Sequence, residues 1–214
     1  MTKSLSIIGT FDLICPWCWI GKVNLERALT MLRTKYVDLD VCLEWRGVQL
    51  MPDVPQQGLP FSEFYERRLG SRSAVSARQK QVNQAAACTG LHISFEKIKV
   101  FPNTGIAHAL LTYANQLSER TVYETLLDRL FKAYFELGED IGSSEYLFRL
   151  AESAGIERTA LESWLSKPDL VKSSERLNLN ANGVPNFIFD KKIEISGAQS
   201  PDTLFVLMRS ILDE

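Results

Sequence analysis

The sequence predicts an α/β fold in which a βαβ unit and a ββα unit are separated by a large all-helical insertion. Three features predict it. Short apolar segments of strand character lie only near the two ends of the chain. Between them, apolar residues recur at helical spacing almost throughout. A stretch rich in Pro, Gly and Gln at residues 52–60 marks the change from one pattern to the other.

Leu5-Ser6-Ile7-Ile8-Gly9 reads as a short buried strand, because its apolar residues are bulky and β-branched and turn residues follow. After Cys18, Leu25, Ala28, Leu29 and Leu32 recur on one helical face, while Glu26, Arg27 and Arg33 fall on the other. Leu39, Val41, Leu43 and Trp45 then alternate along one face of a second strand. Strand, helix and strand make a βαβ unit, with a right-handed crossover expected. Residues 52–60 read as a linker, and from 61 to about 172 helices are expected with no strand of note. There Thr121-x-x-Glu124 is a capping-box pattern ahead of Val122, Leu126, Leu130 and Tyr134. Ser143 or Ser144 is placed to cap a helix over 146–154 that Gly155 ends, and 156–165 form another, stopped near Pro168. Residues 184–190 and 193–197 read as an antiparallel hairpin turned at Asp190-Lys191-Lys192. Ser200-Pro201 opens the last helix, whose buried stripe is Leu204, Leu207, Met208 and Ile211. The expected domains are 1–60 with 173–214, and a helical insertion over 61–172.

Composition narrows the function classes. Lys+Arg of 24 against Asp+Glu of 26 leaves no single-sign field to draw nucleic acid or an anionic membrane surface. At 214 residues with 45% hydrophobic content, the chain can build a core without a disulfide scaffold. It has no apolar run long enough for a transmembrane helix. Leu5, Ile7 and Ile8 are too few for a signal-peptide core, so a cytoplasmic location is expected.

The four cysteines are Cys15, Cys18, Cys42 and Cys88, and only the first two are close in sequence. Cys15-Pro16-Trp17-Cys18 lies where the first strand meets the first helix. Cys15 would cap that helix, Pro16 would take the first helical position, and Cys18 would sit in the first turn. Free backbone N–H groups and the helix dipole then favour a thiolate at Cys15. The second thiol, one turn along, is placed to attack a mixed disulfide formed on the first. The alternative is half of a zinc site, with Cys42, Cys88, His92 and His108 as remaining candidates, but no second knuckle completes it. No metal is expected.

Gly183-Val184-Pro185 is the second element. A strand interior tolerates proline poorly, yet Pro185 directly precedes Phe187-Ile188-Phe189. A cis Val184–Pro185 bond at the strand entrance would resolve the conflict and leave the Val184 backbone to pair with an extended substrate. An ordinary trans proline in a turn is the alternative. Asp12 is either a proton relay for Cys18 or a turn-forming residue. Trp17 and Trp19 would give the site an apolar rim, although core packing accounts for Trp19 equally well. Cys42 and Cys88 are expected to be buried structural thiols.

Asp12-x-x-Cys15-Pro16-Trp17-Cys18-x-x-Gly21, Gly183-Val184-Pro185 and Ile195-Ser196-Gly197-Ala198-Gln199 resemble the DsbA family of thioredoxin-fold proteins, in particular its FrnE-like branch. The resemblance runs from end to end. It implies a thioredoxin fold interrupted by a helical domain, Cys15 as attacking thiol, Cys18 as resolving thiol and Pro185 as a cis-proline. Asn103-Thr104-x-x-Ala107-His108 is similar to a segment that faces the active site in this family and in kappa-class glutathione transferases. That likeness makes Asn103 and His108 substrate-binding candidates beside Pro16, Trp17 and Val184; helix capping by Asn103 or Thr104 is the alternative. Periplasmic members usually carry Pro-His between the cysteines, whereas Pro16-Trp17 adds no ionisable group.

The expected activity is thiol–disulfide exchange, as oxidoreductase or isomerase, on a protein or small-molecule disulfide. Glutathione is an expected partner or co-substrate, and no cofactor is needed. One alternative is a glutathione-dependent isomerase or transferase on the same fold, where serine commonly replaces the first cysteine. The other is a non-catalytic peptide-binding or chaperone-like module that grips an extended chain at Val184.

Overall fold

The structure is a computed structural model that describes residues 3–117, 120–166 and 183–213. These separate into two compact units, one of residues 3–47, 88–91 and 183–213, the other of 48–87, 92–117 and 120–166. The expected boundary near 172 and the helix stop at Pro168 lie outside the described residues.

In chain order the elements are β1 (Ser4–Phe11), α1 (Pro16–Lys35) and β2 (Asp40–Gly47), then β3 (Leu59–Pro60), α2 (Phe61–Leu69), α3 (Arg72–Cys88) and β4 (Val100–Phe101). After these come α4 (Gly105–Gln116), α5 (Arg120–Lys132) with a π-helical turn at Ala133–Leu137, α6 (Ser144–Glu152) and α7 (Arg158–Leu165). The chain closes with β5 (Asn186–Phe189), β6 (Ile193–Ser196) and α8 (Pro201–Asp213).

In the first unit the strands form one four-stranded sheet in the order β2-β1-β5-β6. β1 runs parallel to β2 and antiparallel to β5, and β5 pairs antiparallel with β6. The register lines up whole apolar rows. Leu43, Ile7, Phe189 and Ile193 form one, and Trp45, Gly9, Phe187 and Ile195 the next. Because side chains alternate across a sheet, these rows share a face. Against that face lie Leu25, Ala28, Leu29 and Leu32 of α1 and Leu204, Met208 and Leu212 of α8. Burying each leucine or methionine among them contributes about 1.5–3 kcal/mol. Leu207 and Ile211, expected on the buried stripe of α8, pack only partly against this core, and Leu212 takes the deeper place.

The hairpin turn explains its own sequence. Asp190 and Lys191 both have positive φ, 47° and 57°, and the Lys192 N–H donates to the Phe189 carbonyl at 2.9 Å, a type I′ turn. Aspartate tolerates that conformation, and the Asp190 carboxylate gains the Ser6 N–H at 2.8 Å and the Ser6 hydroxyl at 3.1 Å.

The second unit is helical, with two departures from expectation. Residues 52–60 are folded rather than a bare linker: Val54 is buried, and Leu59–Pro60 pairs with Val100–Phe101 as a two-stranded ribbon. Thr121 does not cap α5, because the helix already includes Arg120. Ser143 caps α6 as expected, accepting from the Tyr146 N–H at 3.4 Å, and Gly155 with φ 83° ends that segment.

Candidate active site

The first unit brings Asp12, Cys15, Pro16, Trp17, Cys18, Val184 and Pro185 together where β1 meets α1 and the chain enters β5. Cys15 is the N-cap of α1 with extended backbone (φ −95°, ψ 109°), and Pro16 opens the helix, where a missing N–H costs nothing. The Cys15 N–H donates to the Asp12 carbonyl at 3.1 Å, and the Cys18 N–H to the Cys15 carbonyl at 3.0 Å. These two turns lock the motif before the helix begins. The first turn (Pro16, Trp17, Cys18, Trp19) holds no acidic side chain, so its positive end is left for an anion on the sulfur.

The two thiols differ in setting. Cys15 is 8% exposed and Cys18 1%. Pro16 and Trp17, between the two cysteines, are half-buried, while Trp19 is buried. Burial is the main cause that pushes the Cys18 thiol well above its ordinary value. The hydrogen bond it donates to the Cys15 sulfur, and the negative charge that sulfur carries when ionised, push the same way. A backbone hydrogen bond from Asp12 pulls down, and the Asp12 carboxylate charge pushes up again. Asp12 itself is fully buried.

Across from the motif, the Val184–Pro185 peptide is cis. Val184 is half-buried, Pro185 is buried, and the Cys15 thiol donates to the Val184 carbonyl, with Sγ and O 3.8 Å apart. From the other side, the Gly197 N–H donates to the Pro185 carbonyl at 2.8 Å, so the segment 195–199 braces the proline.

Asn103 and His108 belong to the second unit. The Asn103 side chain is taken up by protein. Its Oδ1 accepts from the Gly105 N–H at 2.9 Å and from Gln49 Nε2 at 3.0 Å, and its Nδ2 donates to the Val54 carbonyl at 2.6 Å. It therefore closes the N-terminus of α4, where Thr104 is the cap residue by backbone. His108 is buried one turn into that helix.

The expectation for the other cysteines is corrected: Cys42 and Cys88 are exposed. β2 is an edge strand whose burial alternates, and Cys42 shares its exposed face with Glu44 and Arg46. Cys88 lies at the end of α3, off the stripe that buries Val82 and Ala86. Among the described residues no group of three or more His, Cys, Asp or Glu is gathered as metal ligands.

Sequence reasoning missed two buried polar residues on α1. Lys22, 1% exposed, pairs with Glu26 at 2.5 Å, and Asn24, 6% exposed, donates to the Gln199 carbonyl at 2.8 Å. The signal was available: Asn24 interrupts an apolar stripe at the position beside Leu25.

With this geometry in place, the comparison with known proteins is decisive. Residues 7–207 match the DSBA-like thioredoxin domain. The chain belongs to that family. A relative, YwbO of Bacillus subtilis strain 168, described as uncharacterized, is 26% identical over 211 residues, 95% of this chain and 94% of YwbO. The crystal structure of a probable DsbA oxidoreductase from Streptomyces coelicolor superposes with a TM-score of 0.84 at 26% identity, covering 98% of this chain and 91% of that one. DsbM of Pseudomonas aeruginosa, a cytosolic disulfide reductase solved with glutathione, gives a TM-score of 0.63 at 19% identity over 98% and 100% of the two chains. At that identity the likeness is one of fold. The DsbA-like thioredoxin fold with a helical insertion is thus the architecture of this chain.

Proposed function

We propose that this protein is a cytoplasmic thiol–disulfide oxidoreductase in which Cys15 attacks and Cys18 resolves. One observation carries the reading: two thiols one helical turn apart are made unequal, Cys15 at the helix N-terminus and Cys18 buried behind it, holding its proton toward the Cys15 sulfur. The Cys15 thiolate attacks one sulfur of a substrate disulfide, that S–S bond breaks, and the departing substrate thiolate takes up a proton. Cys18 then loses its proton, with Asp12 as the proposed relay, and attacks the Cys15 sulfur. The second substrate thiol leaves. Two electrons have passed from the dithiol to the substrate, and the Cys15–Cys18 disulfide remains. Run in reverse, the same steps oxidise a dithiol; a disulfide is isomerised when another substrate thiolate, in place of Cys18, attacks the mixed disulfide and releases the Cys15 thiolate.

Pro16, Trp17 and Val184 are the proposed contacts for the chain that bears the substrate disulfide, with Pro185 holding Val184 opposite Cys15. Asn103 and His108 stay in the proposal as residues of the helical unit, Asn103 acting through the α4 terminus it closes. Glutathione is the proposed small-thiol partner and the cytoplasm the proposed compartment, both supported by DsbM, a cytosolic reductase solved with that thiol. The intact cysteine pair supports exchange over a glutathione-dependent isomerase or transferase.

The test is to equilibrate the protein in glutathione buffers, quench with a thiol trap and map the linkages by mass spectrometry. A Cys15–Cys18 disulfide with a midpoint between about −120 and −270 mV is expected. Cys18→Ser should accumulate a mixed disulfide on Cys15, and Cys15→Ser should form none. Absence of the intramolecular disulfide at every ratio refutes the proposal.

A further inference from the structure

Two residues on one face of α1 have properties that helix formation and apolar burial do not explain. Gly21 is buried in the helix interior, where glycine weakens a helix and where nothing in its backbone requires it. Space does. A Cβ there would stand 3.0 Å from Pro185 Cγ, 3.4 Å from Pro185 Cβ and 3.4 Å from Phe187 Cζ. An alanine would therefore move the proline by a few tenths of an ångström. One turn on, Asn24 donates Nδ2 to the Gln199 carbonyl at 2.8 Å, while its buried Oδ1 has no hydrogen-bond partner among the described residues. A half-satisfied buried amide is costly, and an apolar side chain would fill the place without that cost.

Both residues act on the same object. Gly21 is the seat of the Pro185 ring. Asn24 holds residue 199, whose side chain in turn bonds the Ser196 carbonyl at 2.7 Å, and Gly197 in the same turn bonds the Pro185 carbonyl at 2.8 Å. The free end of that clasp is the Val184 carbonyl, 3.8 Å from the Cys15 sulfur. We propose that Gly21 and Asn24 are positioning residues which fix the height of Val184–Pro185 against Cys15, and so set a preference for disulfides borne on an extended peptide over small disulfides. A peptide would pair its backbone with that of Val184 and feel the height of the loop. A small disulfide engages the sulfur alone. The inference rests on the dithiol reading of Cys15 and Cys18.

The experiment uses the full chain, prereduced, as wild type, Gly21→Ala and Asn24→Ala. Single-turnover rates are followed by tryptophan fluorescence against rising concentrations of a disulfide-bonded peptide and of 2-hydroxyethyl disulfide, and the urea midpoint of each variant is recorded. For the peptide, half-saturation should rise about tenfold in each variant with the limiting rate within twofold, what one misplaced backbone hydrogen bond costs. The rate with 2-hydroxyethyl disulfide should stay within twofold. A merely structural role would slow both substrates alike or lower the urea midpoint alone, and a peptide-to-small-disulfide ratio within twofold of wild type in both variants overturns the inference. Should Gly21→Ala show no cooperative unfolding, Asn24→Ala decides by the same ratio, since it adds no atoms. A wild-type protein that reduces neither disulfide overturns the dithiol reading and this inference with it, whereas an active wild type with unchanged ratios overturns this inference alone.

Discussion

Raising the pH of the reduced protein should weaken it through one atom, the Cys18 sulfur. In the unfolded chain this thiol ionises near its ordinary value of 9.0; in the folded protein, burial, the hydrogen bond to Cys15 and the charge of Cys15 keep it protonated well beyond that. Above pH 9 the folded state therefore holds a proton that the unfolded state has released, and stability falls as pH rises. The contribution is fully present below the unfolded value and is lost up to the folded one. While Cys18 stays protonated, the loss above pH 9 is bounded by the worth of one proton, on the order of 1 kcal/mol per pH unit. Urea unfolding under a phosphine reductant, compared with Cys18→Ala, reads this share together with any change at Cys15, the thiol that Cys18 bonds. Between pH 9 and 10.5 the wild type should lose more stability than Cys18→Ala, on the order of 1 kcal/mol more. Equal slopes would refute the reasoning, and so would a wild type that gains stability.

Four further outcomes are expected. Asp12→Asn should leave the first attack by Cys15 within a few-fold but slow the resolving step by about 100-fold, the lower end for a lost general base, seen as a mixed disulfide accumulating under acid quench. Gly9→Ala should cost about 2–3 kcal/mol in urea unfolding and shift the Trp45 emission, because the new methyl would stand 2.5 Å from the Trp45 ring. Asp190→Ala should cost about 1–2 kcal/mol by removing the acceptor of the Ser6 N–H and hydroxyl, with peptide-disulfide reduction unchanged. Asn103→Ala should lower stability by about 2–3 kcal/mol, the worth of three side-chain hydrogen bonds; a raised half-saturation at unchanged stability would instead mark a direct substrate contact.

The parts of this protein legible in its sequence are those where one local rule acts without rivals. Leu25, Ala28, Leu29 and Leu32 show the helical period, and all four are buried in α1. The Cys15 cap and Pro16 at the first helical position follow from geometry that tolerates few other residues, and both stand as expected. Legibility fails where a residue answers to a partner remote in sequence. The alternation of residues 39–45 puts Cys42 opposite Val41 and Leu43, but whether that opposite face is covered depends on packing remote in sequence, and it is exposed. The ribbon of Leu59–Pro60 with Val100–Phe101 is two residues long on each side, too short for alternation to register. Thr121 carries a capping pattern, yet the helix runs through it, because Leu126, Leu127 and Leu130 behind it are buried and tertiary packing outweighs a local cap. Gly21 is legible as part of a motif, but its contact with Pro185 crosses more than 160 residues of chain and could only be seen in the fold.

That long-range contact bears on how two chemically identical thiols come to have separate roles. The helix end distinguishes Cys15 from Cys18 by position, and burial distinguishes them by solvation, so the proposed order of attack needs nothing outside the motif. Neither effect selects a substrate, because any disulfide that reaches the sulfur would react alike. Selection needs a surface held at a defined distance from the Cys15 sulfur, and on this side of the site Val184 is the backbone that faces it. Its carbonyl cannot be fixed by α1's electrostatics; it is fixed by contact, through a glycine that lets a proline ring approach and an asparagine that ties down the turn behind it. Reactivity and selectivity would then be separable by mutation along one helix, with residues 15–18 governing the rate common to all disulfides and residues 21–24 governing which of them is preferred.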